Sequence, residues 1–280
     1  MNPESIAALL KAARAQLAAQ GIETAALDAR LLLQATSGIS PEALIANPAS
    51  TLPPEAIARF EVSIARRTKY EPVSRILGKR DFYGRSFTVT PDVLDPRADT
   101  ETLITLALDL CPCPCHFLDL GTGSGAIAVS LCAERAGFTG IATDLSSAAL
   151  VIAQQNAMAL GVNNRLRFQQ AAWFEGLAGN FNLIISNPPY IRDATTLMPD
   201  VADYDPPLAL FGGPDGLVAY RAIAKDASHF LTLHGLLLVE IGWGQADEVI
   251  AVFETQGFIL VEQHNDLAAT PRALAFKLNG

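Results

Sequence analysis

The strongest constraint on the fold is an alternation, through the second half of the chain, of short apolar runs with segments of helical periodicity. Phe117–Leu120 predicts a buried strand, and the glycine-rich Gly121–Gly125 turns from it into a helix. The same alternation predicts strands at Ile141–Thr143, Leu166–Phe168 and Phe181–Ile185. Because strands that alternate with helices form βαβ units, we expect a mostly parallel, doubly wound α/β sheet of the Rossmann-like type.

The carboxyl-terminal part of the chain is expected to complete this sheet. Leu236–Glu240 predicts a fifth strand, and Phe258–Val261 and Ala273–Leu278 predict a last pair that includes an antiparallel edge strand. The helices between the strands are expected at 126–136, 146–160, 215–231 and 245–256.

The first 75 residues differ, because their apolar residues recur only at helical spacing. Ala26–Leu33 predicts a well-buried helix, and the prolines of Ser40–Glu42 and Pro53–Glu55 are typical of helix starts. Phe82–Thr90 is aromatic and β-branched around a glycine, which predicts a hairpin. The helical part carries no evident chemistry, so it either stabilises the chain or docks a macromolecular substrate. The predicted domains are a helical domain at 1–75, a linking hairpin at 76–98 and an α/β domain at 99–280.

Composition narrows the classes of function. Half of the 280 residues are hydrophobic, which is enough for a large core, and the formal net charge is −9. A protein that binds duplex nucleic acid normally presents a basic face, so we expect no direct binding of free DNA. The amino terminus lacks the pattern of a signal peptide, and no apolar run is long enough to span a bilayer. We expect a soluble, cytoplasmic protein.

Three of the four cysteines lie in the run Cys111-Pro-Cys113-Pro-Cys115. The run could form a metal or redox cluster, or it could be a proline-stiffened connector with free thiols. Its spacing is not the two-residue gap of common zinc sites, and no second Cys/His pair follows. We therefore expect no metal.

The segment with the most chemical information is Ser186–Tyr190, which follows a predicted strand. Its two prolines stiffen the chain and hold Asn187 and Pro188 extended. The Asn187 amide oxygen and the Pro188 carbonyl can together accept two hydrogens from one NH2 group, and Tyr190 can stack on a planar group. The loop therefore suits a planar amide or an amino-base as substrate.

A second site is predicted at the glycine-rich turn. Glycines after a first strand let the backbone approach a ligand, and an acid about twenty residues later, here Asp144, can bind ribose hydroxyls. Gly121–Ala126 also fits the dinucleotide pattern, so this motif leaves open which adenosyl ligand binds. Asp119 could hold a ligand's amino-acid end, and Trp173 could cover an adenine or simply pack at the rim.

These motifs together resemble one family. Asp119–Gly125 with Asn187–Tyr190 at this spacing is similar to S-adenosylmethionine-dependent methyltransferases that act on planar nitrogens. The likeness extends to Glu71–Val73, Pro96–Glu101 and Trp173-Phe174, and with the helical segment it covers nearly the whole chain. The chain is thereby identified as a member of the HemK/PrmC family, whose members methylate the side-chain nitrogen (N5) of the glutamine in the Gly-Gly-Gln motif of class 1 peptide chain release factors.

The resemblance implies a set of site residues. The turn would line the methionine part of the cofactor, Asp144 would bind its ribose, and Trp173 would lie beside its adenine. Asn187 would touch both cofactor and substrate, and the helical domain would help to grip the release factor. Two positions depart from the family: Ala172 stands where an Asp is common, and Ala98 where a Pro is common. The implied turn residues are Gly121, Thr122, Gly123, Ser124 and Gly125, and the implied glutamine pocket is Asn187, Pro188, Pro189 and Tyr190.

Other acids are expected to be less specific. Asp200, Asp203 and Asp205 lie in a proline-containing segment that we interpret as a solvated lid, and Asp99 and Glu101 are expected to cap a helix.

Three other functions compete with this interpretation. An adenine-N6 methyltransferase would use the same loop but needs base flipping and usually a basic recognition region. A non-catalytic sensor of an adenosyl ligand would not need the Asn-Pro-Pro-Tyr loop. A nicotinamide dehydrogenase would need a hydride-relay residue, and none stands out.

Overall fold

The computed structural model describes residues 5–279, which form two compact units. Among the described residues, one unit comprises 5–78 with Leu197–Tyr204, and the other comprises Lys79–Thr196 with 205–279. The helices are α1 Ile6–Ala19, α2 Ala25–Ser37, α3 Pro41–Ala46, α4 Pro54–Arg67, α5 Val73–Leu77, α6 Thr100–Leu110, α7 Ala126–Glu134, α8 Ser147–Ala159, α9 Pro199–Ala202, α10 Val218–Ala227 and α11 Ala246–Glu254. The strands are β1 Lys79–Phe82, β2 Arg85–Thr88, β3 Cys115–Leu120, β4 Phe138–Asp144, β5 Leu166–Gln170, β6 Phe181–Ser186, β7 Leu231–Glu240, β8 Phe258–Asn265 and β9 Pro271–Leu278.

The first unit is helical, as the apolar spacing of its sequence predicts. Ser5 and Ser40 cap α1 and α3 by accepting backbone N–H bonds, which satisfies donors that the first helical turn leaves free. The predicted second helix is buried on one face only, because Leu27 and Leu31 are 44% and 37% exposed. The opposite face joins a core made by Ile6, Leu17, Ala29, Leu32, Leu33, Phe60 and Ile64.

A buried ion pair joins two helices of this unit. The Arg67 Nε lies 2.7 Å from Asp28 Oδ2, and only 9% and 8% of the two side chains are exposed. The Thr24 hydroxyl donates to the same carboxylate at 2.8 Å. Because both charges have left water, each depends on the other for compensation.

The second unit begins with the predicted hairpin. Strands β1 and β2 pair antiparallel from Lys79↔Thr88 to Phe82↔Arg85. The two turn residues, Tyr83 and Gly84, have φ of 47° and 72°, which is the geometry that follows the twist of a two-residue hairpin.

The side chain of Asn156, in α8, joins the end of this hairpin to the glycine-rich turn. Its Oδ1 accepts from Thr88 N at 2.8 Å, and its Nδ2 donates to the carbonyls of Thr88 and Ser124.

The main sheet has seven strands in the order β5-β4-β3-β6-β7-β9-β8. Strands β3 to β7 are parallel, and β9 pairs antiparallel with both of its neighbours. The chain builds outward from β3 to β5 and then returns to place β6 on the other side of β3. The carboxyl ends of β3 and β6 therefore form the switch point where open α/β sheets bind ligands.

Helices cover both faces of the sheet, which is why its central strands contain buried apolar runs such as Leu183–Ile185 of β6. On one face Phe117, Leu183 and Ile185 join a core with α6 and α7. On the other face Leu118 and Ile184 join a core with α10 and α11. Successive residues of a strand point to opposite faces, so each strand supplies both cores.

Several predicted boundaries are wrong. The helix expected at 215–231 begins only at Val218, because Gly216 has a φ of 75° and Asp215 Oδ1 accepts Leu217 N in a turn. The helix ends at Ala227, and β7 starts at Leu231, five residues before the predicted start at Leu236. Strand β8 likewise runs on to Asn265.

The cysteine-proline run connects α6 to β3. Cys111 caps the end of α6 and is buried, Cys113 is exposed, and Cys115 is the first residue of β3. All four cysteines are free thiols. None of the helices within residues 5–279 combines the length and apolar character that crossing a bilayer requires.

The buried ion pair yields a prediction about stability. Replacement of Asp28 by alanine leaves the Arg67 guanidinium buried without its partner, so the first unit should lose about 3–5 kcal/mol of stability. The control is Asp215→Ala, which breaks the Asp215–Arg221 pair, whose side chains are 45% and 51% exposed. An exposed pair contributes about 1 kcal/mol or less. Hydrogen exchange of amides in α2 and α4 measures the loss in Asp28→Ala, and exchange in α10 measures that in Asp215→Ala. Equal losses in the two variants would contradict the prediction.

Candidate active site

A cavity of about 460 Å³ opens at the carboxyl ends of four adjacent parallel strands. Each of these strands contributes the residues that directly follow it, and the rest of the wall comes from two loops of the same unit. Its volume is within the range of small-molecule sites. The lining is Gly121 and Gly123 after β3, Asp144–Ser146 and Ala149 after β4, Ala171–Trp173 after β5, Asn187 and Pro189 after β6, and the loop residues Pro91–Leu94, Pro206, Leu208 and Ala209.

The glycine-rich turn forms the floor between β3 and α7. Gly121, Gly123 and Gly125 all have positive φ, between 55° and 80°, which other residues adopt only with strain. A Cβ on Gly125 would lie 3.1 Å from Ala153, so this glycine lets the turn approach α8 closely. Gly121 and Gly123 expose backbone to the cavity, as expected for a ligand that lies against the turn.

Asp144 is held at the cavity wall by the turn itself. Its Oδ2 accepts from Gly123 N at 2.8 Å, and its Oδ1 accepts from Ser146 N at 2.9 Å. Burial raises the pKa of the Asp144 carboxyl, and these backbone N–H groups oppose the shift. A carboxylate has about four lone-pair positions, so two remain for donors from the cavity.

Asp119 lies behind the turn and does not line the cavity. It is fully buried, and its Oδ2 accepts the Thr122 hydroxyl at 2.6 Å. Its Oδ1 has no hydrogen-bond partner within residues 5–279. Burial raises the pKa of Asp119 to about 7, and the Thr122 hydroxyl opposes the shift. Thr122 and Ser124 are also buried, so these three side chains shape the turn and do not line the cavity wall.

Trp173 lines the cavity beyond the end of β5, beside Ala172. Its φ of 54° is rare for a residue with a side chain and costs on the order of 1–3 kcal/mol. Such strain occurs mainly where a site requires a particular orientation. Ala172 stands where an Asp is common in the family, so this part of the cavity wall presents a methyl group and not a carboxylate.

The Asn-Pro-Pro-Tyr loop begins where β6 ends at Ser186, whose hydroxyl donates to the Leu120 carbonyl at 2.7 Å. The Nδ2 of Asn187 donates to the Thr100 hydroxyl at 3.1 Å. Within the described chain, neither Asn187 Oδ1 nor the Pro188 carbonyl accepts a protein hydrogen bond. Asn187 and Pro189 line the cavity, whereas Pro188 is buried.

The loop is held in place by close contacts with residues that do not line the cavity. Gln245 Nε2 donates to the Tyr190 carbonyl at 3.1 Å, while its Oε1 accepts from Gly242 N at 2.9 Å. A Cβ on Gly212 would lie 2.5 Å from the Pro189 carbonyl oxygen, and one on Gly216 would lie 2.4 Å from that of Tyr190. Only glycine therefore fits at these two positions.

Tyr190 is not among the residues that line the cavity. It packs on the core of α10 and α11, and its hydroxyl donates to Glu240 Oε1 at 3.4 Å. Burial, followed by the charge of Glu240, raises the pKa of the Tyr190 phenol above its ordinary value. Stacking of Tyr190 on the planar group of a substrate stays a prediction.

Three acids differ from their predicted roles. Asp205 is buried and forms an ion pair with Arg97, so it is not part of a solvated lid. Asp99 makes no capping bond to α6 and instead lies 3.2 Å from Arg272. Glu101 accepts from Tyr83 N at 2.7 Å, which ties α6 to the hairpin.

Sequence reasoning missed part of the wall. Pro91–Leu94 follows the hairpin, and Leu208 and Ala209 follow the buried Asp205. Neither segment has periodicity or a motif that would mark it. Leu145 and Ala171 could have been found, because each lies next to a strand end that the pattern identifies.

Comparison with known proteins agrees with this geometry. Residues 8–78 match the model of the PrmC N-terminal domain, and residues 101–203 match that of the methyltransferase small domain. Solved structures share the α/β fold: a ribosomal protein L11 methylase from Lactobacillus delbrueckii has a TM-score of 0.51 at 18% identity and covers 69% of this chain and 86% of its own. A methyltransferase from Pyrococcus furiosus has a TM-score of 0.54 at 16% identity, covering 69% and 89%.

Relatives along the whole chain are more informative. A release factor glutamine methyltransferase from Cereibacter sphaeroides is 47% identical over 96% of this chain and 97% of its own. One from Agrobacterium fabrum is 40% identical over 98% and 97%, and one from Nitratidesulfovibrio vulgaris is 37% identical over 100% and 99%. The chain therefore belongs to the release factor glutamine methyltransferase family and is an enzyme of the methyltransferase class.

Proposed function

We propose that this enzyme transfers a methyl group from S-adenosylmethionine to the side-chain amide nitrogen (N5) of the glutamine in the Gly-Gly-Gln motif of class 1 release factors. The observation that carries the proposal is the Asn187 amide. Its Oδ1 accepts no hydrogen bond from residues 5–279, although Asn187 lines the cavity, and its Nδ2 donates to the Thr100 hydroxyl. The adjoining Pro188 carbonyl is also free of N–H donors from residues 5–279.

The cavity residues fit the proposed cofactor. The exposed backbone of Gly121 and Gly123 suits the methionine part, and the two remaining lone-pair positions of Asp144 suit the ribose hydroxyls. Trp173 presents an aromatic ring for the adenine. Asp119, Thr122, Ser124 and Gly125 would contribute by holding the turn, since none of them lines the cavity. Asn187 would contact the cofactor as well as the substrate.

The proposed chemistry requires orientation more than acid–base catalysis. An amide nitrogen is a poor nucleophile, because its lone pair is delocalised into the carbonyl. S-adenosylmethionine, when bound, supplies a methyl group that is activated by the positive charge on sulfur. Asn187 Oδ1 and the Pro188 carbonyl accept the two N–H groups of the substrate amide, which aims its nitrogen and stabilises the positive charge that develops there. The proton leaves that nitrogen after transfer, when it has become acidic.

We assign the other parts of the chain supporting roles. Pro189 would form the wall of the glutamine pocket, and Tyr190 would anchor the loop through Glu240. The helical domain, 1–75, would grip the release factor, and the segment 76–98 would link it to the catalytic domain at 99–280. The match of residues 8–78 to a domain of this family supports the gripping role.

The direct test is incubation of a purified class 1 release factor with this enzyme and labelled S-adenosylmethionine. We expect mass spectrometry to find one added methyl group on the glutamine of the Gly-Gly-Gln motif. A release factor with Asn in place of that glutamine is the matched control and should remain unlabelled. Label on adenine of duplex DNA, with none on the release factor, would instead support the adenine-N6 alternative. If no S-adenosylhomocysteine forms with any of these substrates, the result would favour the non-catalytic sensor.

The role of Asn187 leads to a separate prediction. Asn187→Ala removes one of the two acceptors, so turnover should fall by about 100-fold or more, as when a preorganised hydrogen-bond partner is lost in other enzymes. The dissociation constant for S-adenosylhomocysteine, measured by calorimetry, should change by about threefold or less, because Asp144 and the turn remain. Asn163→Ala, at an exposed position outside the cavity, is the control. Near-normal turnover of Asn187→Ala would refute the proposed clamp.

A further inference from the structure

Asn187 is held by a residue from a distant part of the chain. Thr100, the first residue of α6, is only 4% exposed. Its hydroxyl oxygen accepts a hydrogen bond from Asn187 Nδ2 at 3.1 Å. This contact links positions that are 87 residues apart. The contact uses the nitrogen of the Asn187 amide. It therefore leaves the other amide atom, Oδ1, as the free acceptor that the proposed function requires.

A buried carboxyl lies beside this contact. Ser186 pairs with Val239, so Asn187 and Glu240 leave neighbouring parallel strands side by side. Glu240 is 1% exposed, and its Oε2 has no hydrogen-bond partner within residues 5–279. Such a group is costly to bury, so its retention requires a reason.

The surroundings of Glu240 are well defined. The hydroxyl of Tyr190 donates to its Oε1, and that of Tyr220 donates to its backbone carbonyl at 2.8 Å. Burial raises the pKa of Glu240; the nearby Thr100 hydroxyl and the charge of Arg272 lower it, and the charge of Asp99 raises it. Arg272 is itself neutralised by ion pairs, including one to Asp99.

A hydroxyl group has one hydrogen, and this sets the direction of the chain of contacts. The negative charge of the neighbouring Glu240 carboxylate attracts the hydrogen of the Thr100 hydroxyl, and the hydroxyl then presents its lone pairs to Asn187. A lone pair can receive Nδ2 but repels Oδ1, so the amide has one orientation. Without the carboxylate the hydroxyl can turn and donate to Oδ1, which would remove the acceptor from the cavity.

We propose that Thr100 and Glu240 are positioning residues that fix the Asn187 amide with Oδ1 directed at the substrate. This inference rests on the proposed function, because it concerns the same acceptor. It assigns to Glu240 a part in turnover that it performs without contact with cofactor or substrate.

The first test compares two substitutions of Thr100. Thr100→Val keeps the shape but removes the hydroxyl, and kcat should fall by about tenfold or more, the value of one lost hydrogen bond of ordinary strength. Thr100→Ser restores the hydroxyl and should recover most of kcat. Thr105→Val makes the same exchange at an exposed position of α6 and should behave as wild type. S-adenosylhomocysteine binding is measured for all three, since unchanged binding shows that the domain has folded.

The second test uses pH. Burial raises the pKa of Glu240 to about 7, and its protonated form no longer attracts the hydrogen of the Thr100 hydroxyl, which can then turn to Asn187 Oδ1. At saturating cofactor, wild-type kcat should therefore decrease as pH falls through about 7. Glu240→Gln has no negative charge at any pH, so its kcat should stay at the low-pH level of wild type across the range.

The outcomes separate this inference from the proposed function. If Thr100→Val has the kcat of wild type, or Glu240→Gln keeps the wild-type pH profile, the positioning role is overturned while release factor methylation stands. If wild-type enzyme does not methylate the release factor at all, the proposed function has failed first. A loss of kcat in Thr100→Val that Thr100→Ser restores, together with a flat profile for Glu240→Gln, supports the inference.

Discussion

The parallel pairing of β3 with β6 is the interaction on which the site depends. The two strands are far apart in sequence, yet their register, from Phe117↔Leu183 to Leu120↔Ser186, makes both end at the same level. The Ser186 hydroxyl donates a hydrogen bond to the Leu120 carbonyl and so joins the ends of the two strands. A shift of the register by one residue would exchange the core faces of β6 and displace Asn187 from the glycine-rich turn. The apolar residues of both strands, buried on two faces, hold this register in place.

Rigidity at the Asn-Pro-Pro-Tyr loop comes from its supports as well as from its prolines. Gly212 and Gly216 allow neighbouring backbone to approach at distances that a methyl group would prevent. Gln245 joins the loop to the turn after β7. Preorganisation of this kind is what catalysis by orientation requires, because the cost of fixing the acceptors is met during folding. The strained Trp173 and the buried Glu240 and Asp119 are further costs of folding that lie in the same region.

Much of the fold could be predicted from the sequence, since buried parallel strands and helices differ in length and period. The strand ends then identified Gly121, Gly123, Asp144, Trp173, Asn187 and Pro189, all of which line the cavity. Contacts between distant residues could not be predicted. Asp205 has the sequence context of a solvated acid, but Arg97 makes it part of the interior. Tyr190 belongs to the motif, yet nothing in the sequence indicates that its hydroxyl donates to Glu240, fifty residues away. The segment Pro91–Leu94 carries no pattern at all.

The three hydrogen bonds of Asn156 have a consequence for how the cavity can open. They connect Thr88, just before the wall segment Pro91–Leu94, to Ser124 in the glycine-rich turn. The Asn156 side chain thereby holds together two parts of the cavity wall that are distant in sequence. Moving Thr88 away from Ser124 would break either the two bonds to Thr88 or the one to Ser124, so this part of the wall resists opening. The exposed Leu208 side chain belongs to a part of the wall that Asn156 does not bind, and a ligand that passes there leaves all three bonds intact.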